Sequence, residues 1–154
     1  MTQEIILTRG LPASGKTTWS MNLVWEYPEF VNLNRDDVRL MLQGEGGYGK
    51  FRKWRETLVT DIVEQAAKSA LDVGKSLVIS DTNLNPNVVE KWRVLAAERG
   101  AEFFLNDDFL EGPVGVCIER DNARKAIGER HVGQSVITSM FNKYRDLWVE
   151  KGLI

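Results

Sequence analysis

Gly10-Leu11-Pro12-Ala13-Ser14-Gly15-Lys16-Thr17 fits the pattern G-x-x-x-x-G-K-[ST] in full. Glu4-Ile5-Ile6-Leu7-Thr8 precedes it, a short apolar run that reads as a buried strand. A helical stretch from about Lys16 to Tyr27 follows and should stop near Pro28. A strand–loop–helix unit of this kind turns successive backbone N–H groups inward and closes on a helix N-terminus, whose partial positive charge favours phosphate. Lys16 can reach the β- and γ-phosphates and the Thr17 hydroxyl can ligate Mg²⁺, so ATP and Mg²⁺ are the expected ligands. A glycine-rich turn that happens to carry a lysine is the bland alternative, against which the flanking strand and helix argue. The loop alone does not separate kinases from ATPases or GTPases.

Working outward, strands and helices alternate. Phe30 to Asn34 reads as a second strand, Asp36 to Gln43 as a short helix, and Gly44, Gly46, Gly47 and Gly49 as a flexible loop. From Phe51 to Val73 the residues Leu58, Ile62, Ala66 and Ala70 recur at every fourth place and mark the apolar face of a long helix. Ser76 to Ser80 is a third buried strand. Asn85 suits the cap and Pro86 the first turn of a helix that runs to about Arg99. Glu102 to Asn106 is a fourth strand, followed by a helix from Val114 to about Lys125. A last helix, from Ser135 to about Lys151, buries Ile137, Phe141, Tyr144 and Trp148. The order predicts an α/β fold of the P-loop kinase type, a mostly parallel sheet of about four strands with helices on both faces. Ligands of such sheets bind at the C-terminal strand ends.

The bulk composition suits one domain spanning residues 1–154. Forty-three per cent of the residues are hydrophobic and 27% charged, the balance of a folded globular chain. No apolar stretch approaches the roughly 18 residues of a membrane helix. Met1-Thr2-Gln3-Glu4 lacks the basic and apolar regions of a secretory signal, and the single cysteine, Cys117, excludes an internal disulfide. A cytoplasmic location is expected. Lys and Arg total 20 against 22 Asp and Glu, a net charge of −2, unlike a protein that coats nucleic acid nonspecifically. Any contact with nucleic acid should therefore use a local patch.

Two further strand ends carry candidate chemistry. After the second strand comes Asn34-Arg35-Asp36-Asp37-Val38-Arg39. Asp36 and Arg39, three apart, share a helix face. The carboxylate can take a proton from an attacking hydroxyl while the arginine holds an anionic part of the acceptor. Equally, the two aspartates can simply favour a helix N-terminus with Arg39 solvated. After the third strand comes Ser80-Asp81-Thr82-Asn83, where Asp81 stands at the place of an acidic residue that orients Mg²⁺ or its water. A structural carboxylate bonding loop N–H groups fits as well.

Arg120 and Arg124 lie four apart near a helix end, on one face, as a lid bringing positive charge to a departing phosphoryl group requires. A solvated face with Glu119 and Asp121 cancelling charge is the alternative, and His131 reads as a surface residue. Lys50-Phe51-Arg52-Lys53-Trp54-Arg55 interleaves four cations with two rings. That composition suits single-stranded nucleic acid, or two aromatics anchoring the long helix.

Taken together, the loop with Thr18-Trp19, then Asn34-Arg35-Asp36-Asp37, then Ile79-Ser80-Asp81-Thr82-Asn83-Leu84-Asn85-Pro86, resemble the P-loop polynucleotide 5′-kinases, as in the kinase domain of the T-even bacteriophage polynucleotide kinase–phosphatase. The resemblance spans nearly the whole chain. It implies that Gly10, Ala13, Ser14, Gly15, Lys16, Thr17 and Thr18 hold the nucleotide together with Arg120 and Arg124, and that Thr17 ligates Mg²⁺. It implies that Asp36 is the general base for a 5′-hydroxyl and that Arg39 binds the phosphate on its 3′ side. Lys16, Asp36 and Arg124 would then be catalytic, Asp81 would lie with the acceptor, and the lid would fall near residues 120–133.

The family's phosphatase signature, Asp-x-Asp-Gly-Thr, is absent from the chain, so kinase action without 3′-phosphatase action is the expectation. The implied partner is single-stranded or end-exposed DNA or RNA carrying a 5′-hydroxyl, with a nucleic-acid ligase by analogy and no membrane. The host cytoplasm would be the location of a phage-encoded form. A kinase for a small hydroxyl acceptor shares the same loop and base, and an ATP-gated binding module shares the loop alone.

Overall fold

The computed structural model describes residues 2–43 and 51–154. The glycine loop expected at 44–49, and Lys50, lie outside the described residues. Four strands, β1 (Glu4–Thr8), β2 (Phe30–Leu33), β3 (Ser76–Ile79) and β4 (Glu102–Asn106), form one sheet in the order β2-β3-β1-β4. Every pairing is parallel: Ile6 stands opposite Val78 and Phe104, and Val31 opposite Leu77. The expected mostly parallel sheet is thus wholly parallel among the described residues.

That order decides where a ligand can sit. The connection from β1 to β2 passes β3 on one side, through α1 (Lys16–Glu26). The connection from β3 to β4 passes β1 on the other side, through α4 (Pro86–Glu98). Right-handed crossovers running in opposite directions lie on opposite faces of the sheet. A crevice therefore opens between the C-terminal ends of β1 and β3. The return from β2 to β3 runs through α2 (Arg35–Leu42) and α3 (Lys53–Asp72), in the same direction as the α4 crossover. Accordingly α3 and α4 share a core with Ile5, Leu7, Leu77 and Ile79 on one face, while α1 takes the other. The alternate residues Val78 and Thr8 are buried there.

Two sequence expectations need correction. The buried face of α3 is Val59, Val63, Ala67 and Leu71, with Arg55 at its start. Leu58 is exposed, and Ile62, Ala66 and Ala70 lie only at the margin. Both rows repeat at four-residue spacing and both are apolar, so periodicity alone selected the neighbouring stripe about 100° away. The last helix is two: α6 (Gln134–Lys143) and α7 (Arg145–Glu150) break at Tyr144, whose ψ is 19°. The break turns Trp148 inward, where its Nε1–H donates to the carbonyl of Leu110 at 2.8 Å.

Elsewhere the local signals act as expected. Asn85 caps α4 by accepting the N–H of Asn87, with Pro86 in the first turn. Asn34 leaves β2 one residue early and caps α2, accepting the N–H of Asp37 at 2.7 Å. A second core gathers Leu11 of the glycine-rich loop with Leu84, Leu110, Cys117, Ile137 and Trp148. It seats α5 (Val114–Ala126) and α6 beside the strand ends. No helix among the described residues is long and apolar enough to cross a membrane.

Candidate active site

The loop after β1 is shaped as a phosphate cradle. Ala13 and Gly15 have φ of 64° and 104°, and such left-handed turns point consecutive N–H groups into one concavity. Gly10 permits the curl. A Cβ there would stand 2.7 Å from Phe109 Cβ and 2.9 Å from the Phe109 carbonyl, well inside contact distance. Lys16 is only 6% exposed, and its Nζ donates to the Leu11 carbonyl at 2.6 Å and to Ser14 Oγ at 3.2 Å. Burial pushes its ammonium down to about 8, and the charge of Arg124 adds to this, while Cys117, Asp81 and Asp36 oppose it. A desolvated cation inside a ring of N–H donors fits the phosphates of a nucleotide, and the adjacent Thr17 hydroxyl is a suitable oxygen donor for Mg²⁺.

Across the crevice stand the acidic residues. A cleft of about 220 Å³ is lined by Lys16, Thr17, Asp36, Arg39, Asp81 and Arg124 together. Residues from four separate places in the sequence thus converge on one volume, as the strand order requires. Asp81, at the end of β3, accepts the backbone N–H of Arg35 at 2.8 Å. Burial pushes its carboxyl up to about 6, against the pull of that hydrogen bond and of the Arg35 charge. Asp81 therefore joins two loops, as the structural reading expects, and it also lines the cleft.

Asp36 and Arg39 share a face of α2 as expected, and Arg39 Nη1 donates to Asp36 Oδ1 at 2.8 Å. Glu56 of α3, which sequence reasoning missed, takes the other edge of that guanidinium. Arg39 Nε and Nη2 reach its carboxylate at 2.9 and 2.6 Å. Glu56 lies 17 residues from Arg39, and only the packing of α2 on α3 brings them together.

The arginines of α5 divide their positions. Arg124 lines both the cleft and a wider hollow of about 510 Å³ that also touches Ser14, Gly15, Thr18, Trp19 and Arg120. Arg120 reaches over the loop, with Nη1 3.4 Å from the carbonyl of Ala13. Asp121 is no solvated neighbour of Arg120, contrary to one reading of the sequence. It is 2% exposed and accepts the N–H groups of Val132 and Gly133 at 2.9 and 2.8 Å. It thereby straps the segment after α5 to the helix. From that segment Arg130 reaches Asp37 at 3.3 Å, so the segment spans the crevice, while His131 is exposed.

Within the basic aromatic stretch the described residues differ in exposure. Arg55 is buried and donates to the carbonyl of Gln43, which removes it from any phosphate-binding patch. Phe51 and Trp54 are 74% and 51% exposed, so they do not anchor α3 to the core. A further hollow of about 620 Å³ lies beside Asp81. The loop of Asn83 and Asn85 and the α6 residues Ser139, Met140 and Lys143 border it.

The sequence profile of the AAA domain matches residues 5–147. The chain belongs to that family. A protein of Autographa californica nuclear polyhedrosis virus, named as a bifunctional polynucleotide kinase/RNA ligase, is 34% identical over 133 residues. The match takes in 79% of this chain and 18% of the viral protein, so the chain spans under a fifth of that relative. A structure of the Pnkp1/Rnl/Hen1 RNA repair complex superimposes with a TM-score of 0.72 at 19% identity, over 94% of this chain and 44% of the other. The APS kinase CysC of Mycobacterium tuberculosis, in complex with AMPPNP and APS, gives a TM-score of 0.60 at 20% identity, over 86% of this chain and 78% of the other. These likenesses show the P-loop kinase fold, whose family implies ATP as the bound nucleotide.

Proposed function

We propose that this chain is an ATP- and Mg²⁺-dependent polynucleotide 5′-hydroxyl kinase that acts in the repair of DNA or RNA ends. The observation that carries this is the convergence of Lys16, Thr17, Asp36, Arg39, Asp81 and Arg124 on one cleft. The named activity of the viral relative supports a polynucleotide as the acceptor, as does the likeness of the three motifs to the T-even phage kinase domain. In this reading residues 1–154 act as one kinase domain with a lid near residues 120–133.

The cradle of Gly10, Ala13, Ser14 and Gly15 fixes the donor phosphates, with Thr18 and Arg120 at its outer side. Lys16 offsets charge on the β- and γ-phosphates, and Thr17 would hold Mg²⁺, which would supply further positive charge there. Asp36 takes the proton of the 5′-hydroxyl as its oxygen bonds to the γ-phosphorus. The bond from that phosphorus to the β–γ bridging oxygen breaks, and ADP leaves. Arg39 holds the phosphate on the 3′ side of the acceptor nucleotide, Asp81 borders the acceptor, and Arg124 stabilises the charge on the group in flight. The open hollow beside Asp81 suits a strand that continues past its first nucleotide. A nucleic-acid ligase is the partner expected by analogy, since kinase and ligase are joined in the name of the viral relative.

A small hydroxyl acceptor is the second reading, favoured by the likeness to a kinase whose structure contains APS. Transfer of labelled γ-phosphate to a 5′-hydroxyl oligonucleotide tests the proposal, with a parallel assay for removal of a 3′-phosphate. Labelling without 3′-phosphate removal is the expected result. No labelling, in protein that a thermal shift with ATP reports as nucleotide-bound, overturns it and directs the search to metabolites.

A further inference from the structure

The acceptor side of the cleft holds more ion pairing than its proposed chemistry uses. Arg39 has five N–H bonds. Nε and one hydrogen of Nη2 are spent on Glu56, and one of Nη1 on Asp36. Two remain unused by the described residues, one on each terminal nitrogen. A guanidinium gripped along one edge presents the rest of its donors in a fixed plane. Glu56 also contacts Arg35, whose Nη2 lies 3.4 Å from its carboxylate and whose Nη1 donates to Thr60 at 2.8 Å. One carboxylate thus touches both arginines of the acceptor motif.

Geometry also says what happens without it. Among the described residues Asp36 is the other carboxylate hydrogen-bonded to Arg39, through a single N–H at 2.8 Å. A guanidinium released from Glu56 can turn its bidentate edge onto Asp36. That would occupy both the base and the phosphate-binding donors. Glu56 and Arg39 side chains are 23% and 25% exposed, so water competes only partly for the pair.

We infer that Glu56 is a positioning residue of the acceptor site, holding Arg39 by one edge so that its two spare N–H groups face an incoming phosphate and Asp36 stays available to the hydroxyl. The inference rests on the kinase reading above. The charged groups that face the network are Asp36 and Arg35 from α2, Arg39 itself, and Asp81 at the end of β3. Hydrogen bonding to Arg39 holds the Glu56 carboxyl below its usual value, so the pair stays charged at neutral pH.

The test is a double-mutant cycle. Glu56→Gln keeps size and one acceptor oxygen but loses the charge. It should lower kcat/KM for the oligonucleotide about 10- to 100-fold, the scale of a misplaced positioning group, while the ATP-induced thermal shift stays as in wild type. In the Arg39→Ala background Glu56→Gln should cost nothing further. A full additional loss there, or an unchanged kcat/KM in the single variant, overturns the inference. The Arg39 Nε–H resonance in a nitrogen-15 spectrum gives a second measurement that needs no substrate. It should be sharp and slow to exchange in wild type and broadened in Glu56→Gln, and identical spectra overturn the positioning claim. Wild-type protein that labels no 5′-hydroxyl refutes the kinase reading instead, and the spectrum then decides the role of Glu56 alone.

Discussion

The backbone N–H of Arg35 donates to the carboxylate of Asp81 across 2.8 Å, joining the loop after β2 to the loop after β3. The bond secures the floor of the crevice, yet it does not repay the cost of burying the carboxyl, which burial pushes up from 3.8 to about 6. A carboxyl that protonates more readily folded than unfolded takes up a proton on folding between pH about 4 and about 6. Its contribution to stability is present below about 4 and is lost as pH rises through about 6. Asp81→Asn keeps an oxygen for the Arg35 N–H and removes the charge. The variant should therefore gain on wild type by a few °C between pH 4.5 and 7, read by thermal unfolding without nucleotide. A constant difference between the two proteins would mean that Asp81 titrates as an ordinary surface aspartate.

Lys16 makes the opposite use of burial. Its ammonium is pushed down to about 8 because the loop strips its water away before any phosphate replaces it. The folded chain alone therefore gains stability as pH rises from about 8 to about 10.5, where folding releases that proton. An anion seated in the cradle removes the penalty at neutral pH. With ATP at a hundredfold excess over its Kd, binding adds about 2.7 kcal/mol, a rise of roughly 5–10 °C in Tm for a chain of this size. Lys16→Ala should abolish most of that rise. A variant that retains the full shift would place the nucleotide elsewhere.

Most of this architecture is legible in the sequence because its signals are local. The glycine-rich loop, the Asn85-Pro86 start of α4, and the apolar runs of β1 and β3 each act within a few residues, and the alternation of elements then dictates parallel strands. What escapes is decided at a distance. Glu56 meets Arg39 only through helix packing, and nothing in its own neighbourhood distinguishes it from a solvated glutamate at a helix start. Asp121 reads as a partner for Arg120 by spacing, whereas its burial depends on where the chain returns eleven residues later at Val132. The buried face of α3 escapes for a related reason: two adjacent apolar rows have the same period, and the sheet beneath chooses between them.

Asp36 discriminates between the functional readings. As a general base it should contribute about 10²- to 10⁴-fold to transfer and nothing to nucleotide affinity, because the phosphate cradle lies on the other side of the cleft. Asp36→Ala should show the wild-type thermal shift with ATP and lose phosphorylation of the oligonucleotide by that factor in single-turnover assays. An ATP-gated binding module would instead tolerate the substitution. Loss of the thermal shift itself would indicate that Asp36 supports the nucleotide, not the acceptor.

The strap at Asp121 holds the segment proposed as a lid. Two backbone N–H groups, of Val132 and Gly133, end on its buried carboxylate, and Gly133 adopts a φ of 96° at that point, a conformation that favours glycine. Asp121→Ala leaves both donors without their acceptor, at about 1–3 kcal/mol for each that water cannot reach. The variant should lose about 2–5 kcal/mol of stability in urea unfolding, and Asp121→Asn, which keeps one carbonyl oxygen, about half as much. Arg124 and Arg130 flank the strap, so the KM for ATP should rise in both variants even at temperatures where they remain folded. A destabilised Asp121→Ala with an unchanged KM for ATP would separate the strap from the lid and reduce Asp121 to a helix-packing residue.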